Sequence, residues 1–521
     1  MFRRGATWTK NTWGTKVNSL PMDAFFEIEL DLTGVKPREF AQAIYFELKA
    51  AILDGRLKPG VKLPATRSSK TPFGVSRNTV ARVYERLFNE GYLVSRQGSG
   101  TYVAHRQIPS TGAAPVPKGR AQSRVNEFWL NPEVVKAMNF WHDRPERPSP
   151  RVKTPPIDFR PALVDARAFP FDIFRKVSAR QLRGLERKPA SYRSPQGNQG
   201  NYYLREAITH HIALTRAVVC QVDDVLVTAG AQQAFDILAR TLVRPGETIV
   251  AIEEPGYPPM RVAFAAAGAR LVPVEVDEEG MVLDRLPPET AIICVCPSHQ
   301  FPLGVAMSPR RRQGLLEFAR NSGAVIVEDD YDGEFRFDGS PLKALRTADA
   351  ADLVFYVGTF SKCMLPALRL GFVVAPKWAM PTMVAAKNCL DWHCPTPIQI
   401  GVAEFIAEGH LARHVRKMLK IYKERREYLL RSLNGEANRW LVPIPSFYGV
   451  HVAALARNGV DLDPVVEGLR RDNVKIHTLE RYFLGTPTRS GLVFGYGAVT
   501  LAEMSLGLAK LIKRLQKAQI G

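Results

Sequence analysis

Two apolar runs in the C-terminal part of the chain end in residues that could do chemistry together. Val325–Val327 is followed by a carboxylate, Asp329, and a phenol, Tyr331, and a second run, Tyr356–Gly358, leads to Lys362. A carboxylate at the carboxyl end of a buried strand can hold a pyridinium nitrogen protonated, and a nearby phenol can reach a ring hydroxyl. A partly desolvated lysine near other cations has a lowered pKa and can form a Schiff base. Taken alone, the first run is as typical of a solvated acidic turn, and a lone lysine is usually a surface charge.

Three further signals suit the ring and the phosphate of one aromatic ligand. Val225–Gln233 is typical of a strand, a turn of small residues and a helix start, where free backbone N–H groups can bind phosphate. Glu254–Gly256 precedes Tyr257, whose ring could stack on an aromatic ligand. Arg369 lies seven residues beyond Lys362, near enough to reach the same phosphate. Together, the five signals predict a site for a phosphate-bearing aromatic aldehyde.

The elements that must position these residues alternate along the chain. The predicted strands are Val225–Val227, Thr248–Ile252, Ala291–Val295, Ala324–Val327 and Leu353–Val357, and the predicted helices begin at Gln232 and lie near Tyr257–Ala267 and Pro309–Asn321. This alternation predicts an α/β fold with a mainly parallel sheet that is covered by helices on both faces.

Proline marks the boundary between this region and the rest of the chain. Nine of the 38 prolines fall between Arg106 and Pro156, and proline fixes φ and removes a hydrogen-bond donor. We therefore predict a linker at 106–156, with one short helix around Pro132–Trp141. The predicted division is an N-terminal extension (1–34), a compact unit (35–105), this linker and a large C-terminal region (157–521).

The basic charge of the chain is concentrated on its N-terminal side. Of the formal net charge of +20, residues 1–105 carry +7 and residues 106–156 carry +5. Such an excess favours polyanion binding, although it is also typical of a protein kept soluble by its surface charge. No apolar run is long enough to span a membrane, and no secretory signal is found. The six cysteines form no CxxC pair, so we expect reduced thiols, no metal site and a cytoplasmic protein.

The compact N-terminal unit has the pattern of a winged helix-turn-helix. Its predicted elements are helices at Phe40–Leu53 and Arg77–Glu90, a short segment around Leu63–Phe73, and two strands of a wing at Tyr92–Ser95 and Gly100–Val103. Ser76 is placed to cap the second of these helices. That helix begins with Arg77, Asn78 and Thr79, which can reach base edges and phosphates.

This unit closely resembles the DNA-binding domain of the GntR family of regulators. The resemblance rests on the motifs Ala51–Gly60, Lys62–Arg67, Gly74–Val80 and Gln97–Val103. It implies that the recognition helix contacts DNA and that the wing follows a minor groove. The residues predicted to contact DNA are Arg67, Ser76, Arg77, Asn78, Thr79, Arg82, Arg96, Gly98 and Gly100. The alternative is a winged helix that serves as a protein-interaction module.

The region from Asp158 to the C-terminus resembles the fold-type I aminotransferases, which depend on pyridoxal 5′-phosphate (PLP). The resemblance implies a mainly parallel sheet followed by a smaller C-terminal α+β subdomain. Lys362 would form the Schiff base, and Asp329 would pair with the pyridine nitrogen. Tyr331 would contact the 3-hydroxyl, and Tyr257 would stack on the ring. The residues predicted to hold the phosphate are Gly230, Ala231, Gln232, Thr359, Ser361 and Arg369, and Arg489 is the candidate for an effector carboxylate.

Two departures from the aminotransferase pattern concern these contacts. The family usually has a hydroxyl residue before the glycine of the phosphate turn, where this chain has Ala229, so one hydrogen bond is lost. Aminotransferases typically show Asn-Pro-x-Gly, with the asparagine on the ring hydroxyl, whereas this chain has Phe301 before Pro302. A phenylalanine cannot donate that bond. We therefore expect the fold to be kept, and we do not expect efficient transamination.

A GntR-type head, a long linker and an aminotransferase-like region in one chain resemble the MocR/GabR group of bacterial transcription regulators. The resemblance implies a homodimeric, PLP-dependent regulator that binds repeated half-sites in double-stranded DNA and associates with the nucleoid. It would sense an amino compound, or PLP itself, through Schiff-base exchange at Lys362. Two alternatives are a working aminotransferase with a DNA-binding head, and a DNA-binding protein whose C-terminal region has lost PLP and only dimerises.

Overall fold

The chain divides into two compact units, residues 1–125 and 126–521. The computed structural model describes residues 39–65, 75–96, 99–104, 125–140, 155–161, 163–187, 197–337, 342–457 and 459–518. The division falls inside the predicted linker, and residues 126–140 of that linker belong to the larger unit.

The N-terminal unit contains two described helices and a three-stranded sheet. They are α1 (Phe40–Leu53), β1 (Lys62–Leu63), α2 (Arg77–Asn89), β2 (Leu93–Arg96) and β3 (Gly100–Val103). The sheet has the order β1-β3-β2, and both pairings are antiparallel. Residues 66–74, which make up most of the segment predicted around Leu63–Phe73, lie outside the described residues.

Helix α2 is stabilised both by its N-terminal cap and by the burial of its apolar face. The Ser76 hydroxyl accepts a hydrogen bond from the backbone N–H of Thr79 at 3.3 Å, which satisfies one of the N–H groups left open at a helix start. The buried side chains of α2 lie at helical spacing and pack against α1. They are Val80, Val83, Tyr84 and Leu87, against Ile44, Leu48 and Ile52. This packing turns the opposite face of α2 toward solvent.

The larger unit is built on an eight-stranded sheet. Its strands are β5 (Val225–Thr228), β6 (Ile249–Glu254), β7 (Arg270–Asp277), β8 (Gly280–Met281), β9 (Ile292–Val295), β10 (Val325–Asp330), β11 (Val354–Thr359) and β12 (Gly371–Val374). The order is β5-β12-β11-β10-β9-β6-β7-β8. The pairings from β11 to β7 are parallel, while β12 is antiparallel to both of its neighbours and β8 is antiparallel to β7. The predicted mainly parallel sheet is therefore confirmed.

Helices cover both faces of this sheet, since β5, β9 and β11 are buried at every position. The helices of the larger unit are α3 (Pro132–Met138), α4 (Phe171–Arg187), α5 (Tyr202–Arg216), α6 (Ala231–Leu242), α7 (Pro258–Ala266), α8 (Pro309–Ser322), α9 (Met380–Leu390), α10 (Thr396–Ala407), α11 (His410–Asn434), α12 (Asp463–Arg471) and α13 (Leu501–Ala518). Within the described ranges, none of the helices has the length and apolarity needed to cross a membrane.

A smaller antiparallel sheet follows in the C-terminal part. It consists of β13 (Leu441–Pro443), β14 (His451–Ala456), β16 (His477–Thr478) and β17 (Gly491–Gly495), in the order β13-β14-β17-β16. A short parallel pair joins β4 (Ile157–Asp158) to β15 (Val474–Lys475), so the start of the unit is tied to this C-terminal subdomain.

The topology of the large sheet brings five strand ends to one edge. Strands β6, β9, β10 and β11 are parallel, so their carboxyl ends lie on the same side. Strand β5 points the same way, because the antiparallel strand β12 lies between it and β11. Residues that follow these ends converge even where they are more than a hundred positions apart in the sequence, such as Gly230 and Lys362.

Candidate functional site

A cavity of about 590 Å³ opens at this edge of the large sheet. Its size is within the range of small-molecule sites in proteins. Nearly all of the residues predicted to bind a cofactor line it: Ala231, Gln232, Tyr257, Asp329, Tyr331, Thr359, Ser361, Lys362 and Arg369. The remaining one, Gly230, lies against the Arg369 guanidinium. The fold therefore brings together the residues that the sequence singled out from four separate segments.

Lys362 follows strand β11 and extends into this cavity. Removal from water lowers the pKa of Lys362 to about 8, and the nearby carboxylates of Asp332 and Asp329 oppose this shift. An ammonium with a pKa near 8 releases its proton far more readily than a surface lysine. Lys362 can therefore act as a nucleophilic amine near neutral pH.

Asp329, within β10, is a buried carboxyl group at the cavity wall, and among the described residues it accepts a side-chain hydrogen bond from Cys296. Its Oδ2 lies 3.7 Å from the Cys296 thiol, and its Oδ1 is buried without a hydrogen-bond partner among the described residues. Burial raises the pKa of Asp329 to about 7, and the neighbouring Asp330 adds to the effect. A cationic N–H from a ligand in the cavity would satisfy this oxygen and favour the carboxylate.

A second buried carboxyl, Glu253, lies behind Asp329 and was not identified from the sequence. It accepts hydrogen bonds from the Cys296 backbone N–H at 3.1 Å and from the Gln300 side chain at 3.3 Å. Burial raises the pKa of Glu253 to about 8, and Asp329 contributes to this shift. Two negative charges close together in a buried region repel each other, so an ionised Asp329 favours the protonated form of Glu253.

The Tyr331 hydroxyl is hydrogen-bonded to His299, a residue that was also not identified from the sequence. The Tyr331 hydroxyl lies 2.9 Å from His299 Nδ1 and 3.0 Å from the His299 carbonyl oxygen. Asp332 Oδ2 lies 3.0 Å from the same ring nitrogen, and the His451 ring centroid lies 4.5 Å from that of His299. Burial lowers the pKa of His299 to about 3, so this imidazole is neutral. The motif Ser298–Gln300 was the only signal in the sequence that could have indicated it.

The donor atoms of His299, Asp332 and His451 lie within 4.8 Å of one another, as in a metal site. However, Gly449 packs directly against these side chains. A Cβ atom at this position would overlap both the His299 ring and Asp332 Oδ2. His451 Nε2 is also bonded to the Pro302 carbonyl at 3.0 Å. We therefore interpret these side chains as a packed hydrogen-bonded group that supports Tyr331.

The opposite end of the cavity is formed by the turn between β5 and α6 and by Arg369. The Arg369 guanidinium donates to the Ala229 carbonyl at 2.9 Å, and a Cβ at Gly230 would lie 2.8 Å from it. Gly230 has φ +81°, a conformation that glycine adopts without strain. The Thr359 and Ser361 hydroxyls lie 3.0 Å apart beside this turn. Cationic, hydroxyl and helix-start donors together form an anion-binding end.

Aromatic rings close the remaining wall. Phe301 is buried and meets the Tyr257 ring edge to face, at 5.7 Å between centroids and 89° between planes. It meets Tyr331 in the same way at 5.6 Å. Phe301 cannot donate a hydrogen bond, as predicted from the sequence, and its ring instead packs against Tyr257 and Tyr331.

The structure does not bring Arg489 to the cavity that Lys362 lines. Its guanidinium pairs with Glu275 at 3.2 Å, and it is not among the described residues that line the cavity. The residue lies just before β17, and the sequence did not fix its alignment. The cavity is lined instead by Arg160, Leu163 and Met138, none of which was predicted.

The DNA-facing surface predicted for the N-terminal unit is exposed where it is described. Arg77, Asn78 and Arg82 project into solvent from α2, and Arg96 lies at the base of the wing with its guanidinium 4.8 Å from the Tyr102 ring. The hydroxyls of Ser76 and Thr79 bond to each other at 2.8 Å. Gly100 has φ +122°, and a Cβ there would lie 2.9 Å from Lys62 Cε. Arg67 and Gly98 lie outside the described residues.

Comparison with known proteins matches each unit to a family. Residues 40–103 match the bacterial regulatory proteins of the gntR family, and residues 169–453 match the class I and II aminotransferases. The chain is similar in fold to Pyrococcus horikoshii kynurenine aminotransferase, with a TM-score of 0.67, 24% identity and coverage of 77% of this chain and 98% of that one. It is also similar to LysN, an α-aminoadipate aminotransferase of Thermus thermophilus, with a TM-score of 0.64, 26% identity and coverage of 70% and 93%.

Similarity over both units is found with transcription regulators. The chain is 33% identical over 471 residues to a probable rhizopine catabolism regulatory protein, MocR, of Rhizobium meliloti, covering 90% of this chain and 92% of that one. It is 29% identical over 472 residues to the pyridoxine biosynthesis transcriptional regulator PdxR of Corynebacterium glutamicum, covering 91% and 95%. The chain therefore belongs to the MocR/GabR group of GntR transcriptional regulators, in which a DNA-binding winged helix precedes an aminotransferase-like domain.

Proposed function

We propose that the cavity binds PLP, linked to Lys362, and that the protein regulates transcription in response to an amino compound or to PLP itself. The observation that carries the proposal is the position of the Lys362 amine in the cavity at the edge of the large sheet. Lys362, with a pKa lowered to about 8, shares that cavity with a buried carboxyl group, an aromatic wall and an anion-binding end. A phosphate-bearing pyridine aldehyde needs all four of these features.

The residues present fit the cofactor at both ends. The unpaired Oδ1 of Asp329 would accept the pyridine N–H, and Arg369 with the Gly230 turn would hold the phosphate. Ala229 supplies no hydroxyl, but its carbonyl fixes the Arg369 guanidinium beside the turn. Tyr257 would cover one face of the ring. When bound, PLP supplies an aldehyde that condenses reversibly with amines.

The side chains of this chain would set the conditions for that exchange. Burial keeps part of Lys362 in the neutral amine form at physiological pH, which is the form able to react. His299 holds the Tyr331 hydroxyl in place at the cavity wall. Tyr257 and Phe301 exclude water from the ring face. Since Phe301 cannot donate to a ring hydroxyl, the site favours capture of an amine over repeated transamination.

The regulatory output requires that ligand binding favour one arrangement of the DNA-binding units over another. We expect a homodimer whose winged helices read repeated half-sites. Large apolar side chains exposed on the larger unit, including Phe171, Tyr203 and Trp392, support the existence of such a pairing surface. A regulator of this kind works in the cytoplasm, bound to the nucleoid.

The visible absorption spectrum of the purified protein tests the proposal. After incubation with PLP and removal of the unbound PLP, we expect the protein to keep a visible absorption band that shifts when one compound of a panel of amino acids and amines is added. A band that no amine shifts would identify PLP itself as the signal. A protein that PLP cannot colour would refute the cofactor, and sustained turnover with an amino donor and a keto acceptor would favour a working aminotransferase instead.

A further inference from the structure

We propose that the segment Asn126–Phe140, which lies in the chain between the DNA-binding unit and the large sheet, contributes to the effector site, with Met138 lining the cavity and Phe140 packed behind Tyr257. Met138 would help to determine which effector is accepted, and the docking of the segment through Phe140 would report whether the site is occupied. The inference rests on the proposed function, because it takes the cavity at Lys362 to be the effector site.

The segment is held by tertiary packing. Its helix α3 contains seven residues, begins with an Asn131 cap on the Glu133 backbone N–H at 2.9 Å and has Pro132 in its first turn. A helix this short is not stable alone in water, even with a good cap. It persists because Val134 and Ala137 are buried against Val262 of α7. The order of the segment therefore depends on the surface beneath it.

Phe140 anchors the end of the segment in the aromatic wall of the cavity. Its side chain is 3% exposed and belongs to the apolar cluster that contains Phe301 and Tyr331. Its ring meets Tyr482 at 5.1 Å and Tyr257 at 6.4 Å between centroids, in both cases edge to face. Edge-to-face pairs at these distances are favourable beyond the apolar area that they bury. Tyr257 thus contacts the cavity and Phe140 at once.

Met138 extends the same wall into the cavity itself. It lines the cavity together with Leu163 and Arg160, whose guanidinium is held by Asp158 at 2.6 Å. Methionine is unbranched and polarizable, so it adapts to ligands of different shape. With Leu163 it adds apolar surface to this side of the cavity beside the Arg160 guanidinium, which suits an amino compound with an apolar side chain.

The consequence is a physical connection between the cavity and the chain that leads to the DNA-binding unit. A ring stacked on Tyr257 fixes the tyrosine, and a fixed tyrosine gives Phe140 a constant surface to pack against. Loss of that ring loosens the tyrosine and, with it, the anchor of a helix that cannot persist alone. Ligand binding and segment order are then coupled, as linkage requires.

Hydrogen exchange of the full-length protein, with PLP as the probe, tests this coupling. We expect PLP to slow exchange of the amides of residues 133–140 by about fivefold or more in the wild type. In Phe140→Ala the protein should still gain the visible band, but the slowing should be lost. Phe140→Leu keeps apolar bulk without the ring and should show a reduced effect, which guards against a folding defect in the alanine variant. Val135→Ala, on the exposed side of the same helix, is the matched control and should behave as the wild type does.

The possible results separate this inference from the proposed function. A coloured wild-type protein whose segment exchanges equally fast with and without PLP would overturn the inference and leave the cofactor site intact. Full slowing in both Phe140→Ala and Phe140→Leu would also overturn it, because the anchor would then lie elsewhere. A protein that never gains the band would overturn the inference and the proposed function together.

Discussion

The DNA-facing surface and the cofactor cavity of this protein are built in opposite ways. The first uses exposed side chains that are neighbours in sequence, such as Arg77, Asn78 and Arg82 on one helix. The second uses buried or half-buried side chains from separate strand ends, such as Asp329 and Lys362. The difference reflects the ligands: a phosphate backbone is met by solvated cations, whereas a small ring must be enclosed.

Burial also changes the pKa values of the residues in the cavity, whereas the residues predicted to contact DNA are exposed. In the cavity, removal from water shifts the pKa of Lys362 downward and those of Asp329 and Glu253 upward. These groups therefore differ in proton affinity from the same groups in water. The arginines predicted to contact DNA lie in solvent, where they keep their charge and reach. The proposed sensing chemistry would thus require the core of the larger unit, while the predicted DNA contact would require a correctly folded helix and wing.

The strongest test of this contrast is Lys362→Ala. We expect the variant to lose the visible band completely at any PLP concentration that colours the wild type, because no other amine is placed in the cavity by the described residues. Its affinity for a duplex selected by the wild-type protein should stay within about twofold. Lys377→Ala, at an exposed lysine, is the control and should change neither property. An equal loss of DNA affinity in Lys362→Ala would show that the two regions are not separable.

The pH dependence of PLP capture sharpens the role of burial. A lysine with a pKa near 8 is mostly protonated below that pH and mostly neutral above it. The rate of PLP capture by the PLP-free protein should rise by about tenfold per pH unit below pH 8 and level off above it. Stopped-flow absorbance measures this rate. Nα-acetyl-lysine in solution is the control, and its rate should continue to rise toward pH 10. A protein profile with the same midpoint as the control would place Lys362 in a solvated environment.

Arg77→Ala tests the exposed region. Loss of one phosphate or base contact should weaken binding to the selected duplex by about tenfold and lower the slope of log affinity against log salt by about one. Fluorescence anisotropy at several salt concentrations gives both values. Arg86→Ala is the matched control on the same helix, because its guanidinium lies over the Tyr45 ring at 3.9 Å and near Glu90. An unchanged slope in Arg77→Ala would remove that residue from the interface.

A pair of glycine variants gives the smallest effect and tests the turn at Gly230. Gly230 and Gly246 both have positive φ, +81° and +80°, and the ψ of 174° places Gly230 in a region that almost only glycine occupies, so alanine there costs roughly 1–3 kcal/mol of backbone strain. Only at Gly230 would the new Cβ lie 2.8 Å from the Arg369 guanidinium. We expect Gly230→Ala to weaken PLP binding by about fivefold more than Gly246→Ala does, as measured by absorbance titration. Equal weakening would remove the Gly230 turn from the phosphate site.

Local patterns predicted the elements well because they depend on neighbours in sequence. The strands at 225, 292 and 354 and the helix that starts at Arg77 lie within a few residues of their predicted bounds. Ser76 was identified as a cap because the cap bond spans only three residues. The cavity residues were found through a family resemblance, since their types repeat a pattern at the strand ends.

The misses share one physical cause, which is long-range contact. Arg489 was proposed from the aminotransferase resemblance, in a motif that does not fix the alignment, and its partner Glu275 lies more than two hundred residues away in sequence. His299 and Asp332 come from different loops, and Phe140 meets Tyr482 across more than three hundred positions. No periodicity or spacing in a single sequence encodes such pairs.

The sequence alone therefore determined the two-part architecture, the recognition helix and the set of residues able to bind a phosphate-bearing ring. The first two follow from side-chain type and local spacing, and the roles of the site residues follow from the resemblance to the aminotransferases. Only the tertiary structure decided that Asp329 has an unpaired oxygen, that Lys362 titrates near pH 8 and that the predicted linker supplies part of the cavity wall. Desolvation and packing depend on which distant residues exclude water from a given atom, and the folded chain alone sets that arrangement.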